Sequence, residues 1–457
     1  MNCCEILGPE AVQAMARARD LLQVHSTEAL LDLVGQTRDE LALPPGSADK
    51  RHFAVSYGGG KTCDDDVLAG SGMFYVTQAG KVMLDCVGGH YQLSWGYNHP
   101  LLTAALRDAT DYGIVWDNHA NTPSLPVKKL ADRLAEAADG SETGLNRVLL
   151  GLCTGSVACE AALKIMLIRH SRDPQRASLG KPVMLALTGN YHGTSIVSQA
   201  MRGMWKGYVT GVETVEIEPN DTEALRAAFA MHGRRIAGFW CEPVMMNREA
   251  TTVDRSFLNL AQQLCTKNDA VMAIDEIQTG FWYPETFLFR RLELSPDIVV
   301  IGKGLTAGFH PLAGLIYRED LDLLEQYDAI STNGNASLAA YLALCNLSLI
   351  ERERERIEEL SAHHSESLRA LGGEFPDLIE TIHGHGLLSG LKFRTREDAL
   401  GFHRAAVKRG LWLRVHAYHE GHRTVLTKYP LVVERKICDF VLEVMRELLA
   451  AKPWRSE

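Results

Sequence analysis

Five short apolar runs constrain this chain more than any other feature. They are 146–151 (NRVLLG), 182–187 (PVMLAL), 236–241 (IAGFWC), 270–275 (AVMAID) and 297–302 (DIVVIG). An alternating strand keeps one face wet, whereas a continuous apolar run is what helices on both faces of a sheet demand. Helical spacing at 124–138, 158–170 and 222–231 falls before and between these runs. Strand–helix alternation of this kind predicts an α/β fold built on a mostly parallel, wound sheet.

The flanks differ. Residues 10–23 and 26–41 carry helical spacing of Leu, Ala, Val and Met, closed by the sequence LALPPG at 41–46. A glycine-rich stretch, Ser56-Tyr57-Gly58-Gly59-Gly60, precedes strand-like fragments at 73–76 and 82–87. After 337 a long helix is expected to run into Glu351-Arg352-Glu353-Arg354-Glu355-Arg356, whose alternating charges read as a solvated face. The last hundred residues mix a glycine-containing strand from His383 to Phe393, a helix at 396–409, a strand pair and a terminal helix at 433–450. At 457 residues the chain exceeds what one core organises, roughly 250–300 residues.

Charge and cysteine content exclude several classes. With 47 basic against 57 acidic residues the net charge is −10, opposite to the basic surface a nucleic-acid backbone needs. No run of about 18 apolar residues is present to cross a bilayer, and the first residues lack the basic-then-apolar order of a secretory signal. None of the ten cysteines forms a C-x-x-C pair, so reduced thiols in a cytoplasmic protein are expected.

Two motifs tempt and fail. Gly59-Gly60-Lys61-Thr62 looks like the end of a phosphate loop, but the glycine required five residues before Gly60 is Val55, so a plain glycine turn is expected. His416, His419, Glu420 and His422 cluster without H-E-x-x-H spacing or an evident further ligand, so a polar loop is expected and no metal site.

Four segments carry chemistry in order along the wound sheet. Cys153-Thr154-Gly155-Ser156 is a small-residue turn at a helix mouth, suited to an anion. Tyr191-His192-Gly193 follows a strand and offers an aromatic face. Asp275 ends an apolar run, which puts a carboxylate where α/β sheets bind ligands. Lys303, between Gly302 and Gly304 at the end of another run, is a candidate Schiff-base amine, since a buried lysine sheds its charge readily.

With Leu84-Asp85, Gly96-Tyr97-Asn98-His99-Pro100, Glu242-Pro243 and Asp275-Glu276-Ile277-Gln278-Thr279-Gly280-Phe281, these segments resemble the class III aminotransferases. Those are fold-type I pyridoxal 5'-phosphate (PLP) enzymes related to ornithine and 4-aminobutyrate aminotransferases. The resemblance implies a large PLP-binding domain over 111–335 and a smaller α+β domain from 71–110 and 336–457, preceded by a helical segment 1–70. It implies that Lys303 forms a Schiff base with PLP, that Asp275 pairs with the pyridine nitrogen, and that Tyr191 stacks on the ring. Gln278 would approach the ring hydroxyl, and Gly155 with Ser156 would cradle the phosphate. Ser331-Thr332-Asn333-Gly334-Asn335 is similar to a family loop whose threonine reaches the phosphate of the neighbouring subunit. Thr332 and a homodimer are therefore expected. The implied reaction moves an amino group between a small amine or amino acid and a carbonyl acceptor.

Several positions depart from the family pattern. Val157 and Cys159 replace a common Glu and Asn, Trp282-Tyr283-Pro284 replaces Gly-Arg-Thr-Gly, and Ala336 replaces a proline. No arginine precedes Pro430-Leu431, where relatives grip an α-carboxylate; Lys428, Arg423 and Arg414 are alternatives. Tyr91, Trp116 and Arg414 are the candidate substrate residues. Because PLP supports several fates of one carbanion, elimination or replacement, decarboxylation and C–C bond formation stand as the alternative chemistry.

Overall fold

The computed structural model describes residues 2–44, 54, 66–205, 207–329, 331–417 and 421–455. The glycine turn at 58–62 and His419 with Glu420 lie outside them. The chain forms two compact units, Met1–Pro100 with Leu360–Glu457, and Leu101–Glu359. The changes of unit therefore come at 100 and 359, whereas the sequence reading placed them at 110 and 335. The displaced helix Ser337–Arg352 stays with the larger unit because it packs on the helix Leu125–Ala137.

In the larger unit a seven-stranded sheet runs in the order Arg147–Leu152, Ala313–Tyr317, Ile298–Ile301, Val271–Asp275, Ile236–Cys241, Val183–Leu187, Glu213–Ile217. Only Ala313–Tyr317 runs against the others, pairing antiparallel with both neighbours. All five expected strands are present within a residue or so. Two more were not expected. Glu213–Ile217 is an edge strand whose Glu213 and Glu216 interrupt any apolar run, and Ala313–Tyr317 opens on Ala-Gly.

The helix Gly155–Arg172 buries Ala158, Ala161, Ala162, Ile165 and Met166 against the sheet, and the three alanines allow close helix–strand approach. Thr154 caps its start, accepting from the Val157 amide at 3.4 Å, and Arg169 and Arg172 complement its C-terminal end. The expected continuous helix after 337 breaks at Glu353, where Arg352 and Arg356 both clamp the carboxylate, and resumes as Arg354–Glu374.

The smaller unit holds two four-stranded sheets. The segment read as one strand from His383 to Phe393 is a hairpin, Ile379–His385 paired with Leu388–Phe393 around Gly386-Leu387, with Gly386 at φ 60°. The helix expected over 26–41 stops at Leu33, and a short 3₁₀ turn Asp39–Leu41 follows. Asp85 ends the strand Val82–Asp85 and accepts from the amides of Val87 (2.9 Å) and Gly89 (2.7 Å). These bonds pin four successive left-handed residues, Gly88, Gly89, His90 and Tyr91, with φ from 53° to 73°.

Two buried polar contacts brace the turns at the sheet's end. Asn346 reaches from the helix Ser337–Arg352 and donates to the carbonyls of Gly304 (2.8 Å) and Leu305 (2.9 Å), fixing the turn that begins at Lys303. Asn346→Ala should lower stability by about 1–3 kcal/mol, read as a lower urea midpoint at unchanged slope. An unmoved midpoint would show that these bonds contribute nothing net.

Glu276 accepts from the Phe289 amide (2.7 Å) and the Thr279 hydroxyl. Burial lifts its carboxyl from the ordinary 4.5 to about 7, against the pull of those donors. Between these values the folded chain holds a proton that the unfolded chain has lost. The stability it contributes is therefore complete below about 4.5 and disappears as pH rises through about 7. Stability of the wild type relative to Glu276→Gln should fall across that window, and a pH-independent difference in urea midpoints contradicts the assignment.

Candidate active site

Parallel strands end on one edge of the sheet, and in the larger unit that edge gathers the chemistry-bearing residues. Asp275 is the last residue of Val271–Asp275, Glu242 follows Ile236–Cys241, and Lys303 lies two residues beyond Ile298–Ile301. Tyr191 and His192 follow Val183–Leu187, and Gly155 with Ser156 follow Arg147–Leu152.

Asp275 is only 3% exposed. Its Oδ1 accepts from the Ile277 amide at 2.9 Å, and its Oδ2 accepts from His192 Nδ1 at 2.8 Å and from Cys159 Sγ at 3.6 Å. The His192 ring stacks on Trp240, with centroids 4.6 Å apart. Glu242 is buried beside this group. Burial and the Asp275 charge push its carboxyl up, while the Tyr191 amide, bonded to its Oε1 at 2.7 Å, and the Lys303 ammonium pull it down. Gln278 Nε2 donates to Glu242 Oε2 at 3.2 Å and to Asn247 Oδ1 at 3.1 Å. Lys303 is half-buried with φ 41°, and its charge is felt at both Glu242 and Cys159.

The small-residue turn is tightly built. Gly193 has φ 108°, and a Cβ there would stand 2.4 Å from Ser156 Oγ, which accepts from the Thr194 amide at 3.1 Å. Gly304 admits no side chain either, because the buried Trp282 ring would lie 2.5 Å from its Cβ. The Tyr191 ring is flanked by the Arg202 guanidinium, 5.4 Å from its centroid.

The structure thus gathers Gly155, Ser156, Tyr191, Asp275, Gln278 and Lys303 in one unit. Thr332 is exposed, and no hydrogen bond among the described residues ties it to that cluster. Its loop is laced to the one carrying Trp116 through the short ladder Asp117–Asn118 with Asn335–Ala336. Trp116 is 42% exposed and donates to the Gly113 carbonyl at 2.9 Å.

Tyr91 and Arg414 lie in the smaller unit. The Tyr91 ring has Lys428 Nζ 5.2 Å and the Arg414 guanidinium 6.0 Å from its centroid, and Arg414 Nη1 meets His90 Nδ1 at 2.8 Å. Of the three alternative cations, Arg423 is engaged by Glu380 and the Phe393 carbonyl. His416 and His422 stack at 6.4 Å, and Arg414 Nε contacts His416 Nε2 at 3.4 Å.

His192 and Cys159 emerge as functional candidates that the sequence reading did not single out for a role. The signal for His192 was its place beside Tyr191, and for Cys159 its place one turn after Gly155. Cys159, His192 and Asp275 are residue types that also bind metals, and their ligating atoms lie within 4.8 Å of one another. Here they are engaged with each other, and burial plus the Asp275 charge raises the Cys159 thiol well above its usual range.

Comparison with known proteins supplies the family. The model for "Aminotransferase class-III" matches residues 62–449. Acetylornithine aminotransferase of Xanthomonas axonopodis pv. citri is 30% identical over 331 residues, covering 70% of this chain and 78% of that protein. Ornithine aminotransferase of Bordetella pertussis is 26% identical, covering 84% and 92%. Among solved structures, ornithine aminotransferase from Toxoplasma gondii ME49 superposes with a TM-score of 0.77 at 23% identity, covering 95% of this chain and 97% of that one. The match over most of its length shows that the chain belongs to the class III aminotransferases and is a PLP-dependent transaminase.

Proposed function

We propose that the sheet-edge cluster of the larger unit binds PLP through Lys303 and Asp275 and transfers an amino group from a small amine or amino acid to a carbonyl acceptor. The observation that carries the assignment is Asp275, buried at a strand end with three donors behind it and a lysine on the adjacent strand's turn. The donor set suits the cofactor. A phosphorylated pyridine aldehyde needs an anion seat, a carboxylate for its ring nitrogen, an aromatic face and an amine. The capped helix start at Gly155 and Ser156, then Asp275, Tyr191 and Lys303, correspond to these in turn.

Bound PLP supplies an aldehyde that condenses with amines and a ring that withdraws electrons from the substrate's Cα. Asp275 then keeps the proton on the ring nitrogen, and the backbone amides of Gly155 and Ser156 hold the phosphate. Tyr191 would cover the ring, and Gln278, held by Glu242 and Asn247, would serve the ring hydroxyl. Lys303 Nζ anchors the cofactor between turnovers, takes the proton from the substrate Cα and returns it, acting as general base and then acid.

The ornithine and acetylornithine aminotransferases among its relatives make an amino acid with a second, terminal nitrogen the first donor to test. Arg414 and Lys428, both against Tyr91, are the candidate positive charges for its carboxylate. Thr332, exposed in the single chain, fits a phosphate contact made by a second copy, which makes the working enzyme a homodimer. Among the described residues no helix is long and apolar enough to cross a membrane, and the described cysteines are free thiols, in keeping with a cytoplasmic enzyme.

With ¹⁵N-labelled ornithine as donor and a 2-oxo acid as acceptor, mass spectrometry should find the label in the new amino acid. Failure with every amine donor tried removes transamination by this site. Borohydride reduction of the loaded enzyme should place the cofactor on the peptide containing Lys303, and Lys303→Ala should fold and lose that label. Asp275→Asn should retain the label and lose about 10²–10⁴ in kcat; near-normal turnover removes Asp275 from its role.

A further inference from the structure

Cys159 is fully buried one turn into the helix Gly155–Arg172. Its Sγ lies 3.6 Å from Asp275 Oδ2, the oxygen that His192 Nδ1 reaches at 2.8 Å. With the Ile277 amide on Oδ1, the carboxylate is gripped on both oxygens from behind, and its plane is fixed. The thiol can only donate here, since both burial and the neighbouring negative charge oppose its ionisation. It is a weak donor, weaker than a hydroxyl or an amide in its place would be. The choice therefore bears on how much electron density Oδ2 surrenders.

We propose that Cys159 is a positioning residue for the transamination: its S–H, sharing Oδ2 with His192, orients the Asp275 carboxylate and sets its basicity toward the ring nitrogen. The inference rests on the reading that Asp275 pairs with that nitrogen. Substrate binding is untouched by it, so the effect falls on kcat and on the bound cofactor's spectrum.

The test uses the PLP-loaded enzyme with Cys159→Ala, which removes the donor, and Cys159→Ser, which restores an O–H in nearly the same volume. In Cys159→Ala the pH midpoint of the cofactor's visible band should move by about half a unit, and kcat should fall about 3–10-fold at nearly constant KM. Cys159→Ser should bring both back toward wild type. A Cys159→Ala enzyme with the wild-type midpoint and kcat overturns the proposal. So does a Cys159→Ser enzyme that stays shifted like the alanine variant, because volume and not the donor would then matter. Near-normal turnover in Asp275→Asn removes the Asp275 reading as well, whereas the expected loss in that variant together with an unmoved Cys159→Ala enzyme removes Cys159 alone.

Discussion

A carboxylate taken out of water is costly unless donors replace its hydration, and Asp275 sets that requirement for the larger unit. Three donors meet it from three elements: the Ile277 amide from its own turn, His192 from the loop after Val183–Leu187, and Cys159 from the helix after Arg147–Leu152. None of these loops could converge if the strands carrying them were not parallel and in register. The parallel strand order and the helix Gly155–Arg172 thus serve, in effect, to assemble one solvation shell. Trp240 beneath His192 completes it by fixing the imidazole plane.

Much of this was legible because the physics is local. A continuous apolar run ending in Asp, or in Gly-Lys-Gly, reads as a buried strand delivering a polar group to its carboxyl edge, and Asp275 and Lys303 stand where those patterns put them. The illegible parts depend on distant pieces of chain. Glu213–Ile217 hides because an edge strand tolerates charge, and the hairpin at Gly386 hides because its two strands read as one. The roles of His192 and Cys159 depend on a meeting with Asp275 across 83 and 116 residues, which no periodicity records. Thr332 belongs to the same class, since what it touches is not set by its own neighbours.

The departures from the family pattern also acquire a physical sense. Trp282, where relatives carry small and basic residues, packs against Gly304 so closely that the position beyond Lys303 must stay without a side chain. Asn346 braces the same turn from the other direction. The lysine's backbone is thereby held in a left-handed conformation that few side chains adopt unaided. Ala336, in place of proline, keeps an amide and takes part in the ladder with Asp117.

In the smaller unit, the left-handed turn at Gly88–Tyr91 is clasped by Asp85. Two of its residues bear side chains, and each such residue costs roughly 1–2 kcal/mol relative to the right-handed form. The turn is consequently a cocked spring whose latch is a single carboxylate. Tyr91 stands at the last of these left-handed positions, which fixes where its Cβ leaves the backbone, and its ring keeps company with Lys428 and Arg414. Replacing the Tyr91 ring would accordingly leave the spring wound, because the latch is Asp85 and not the aromatic side chain.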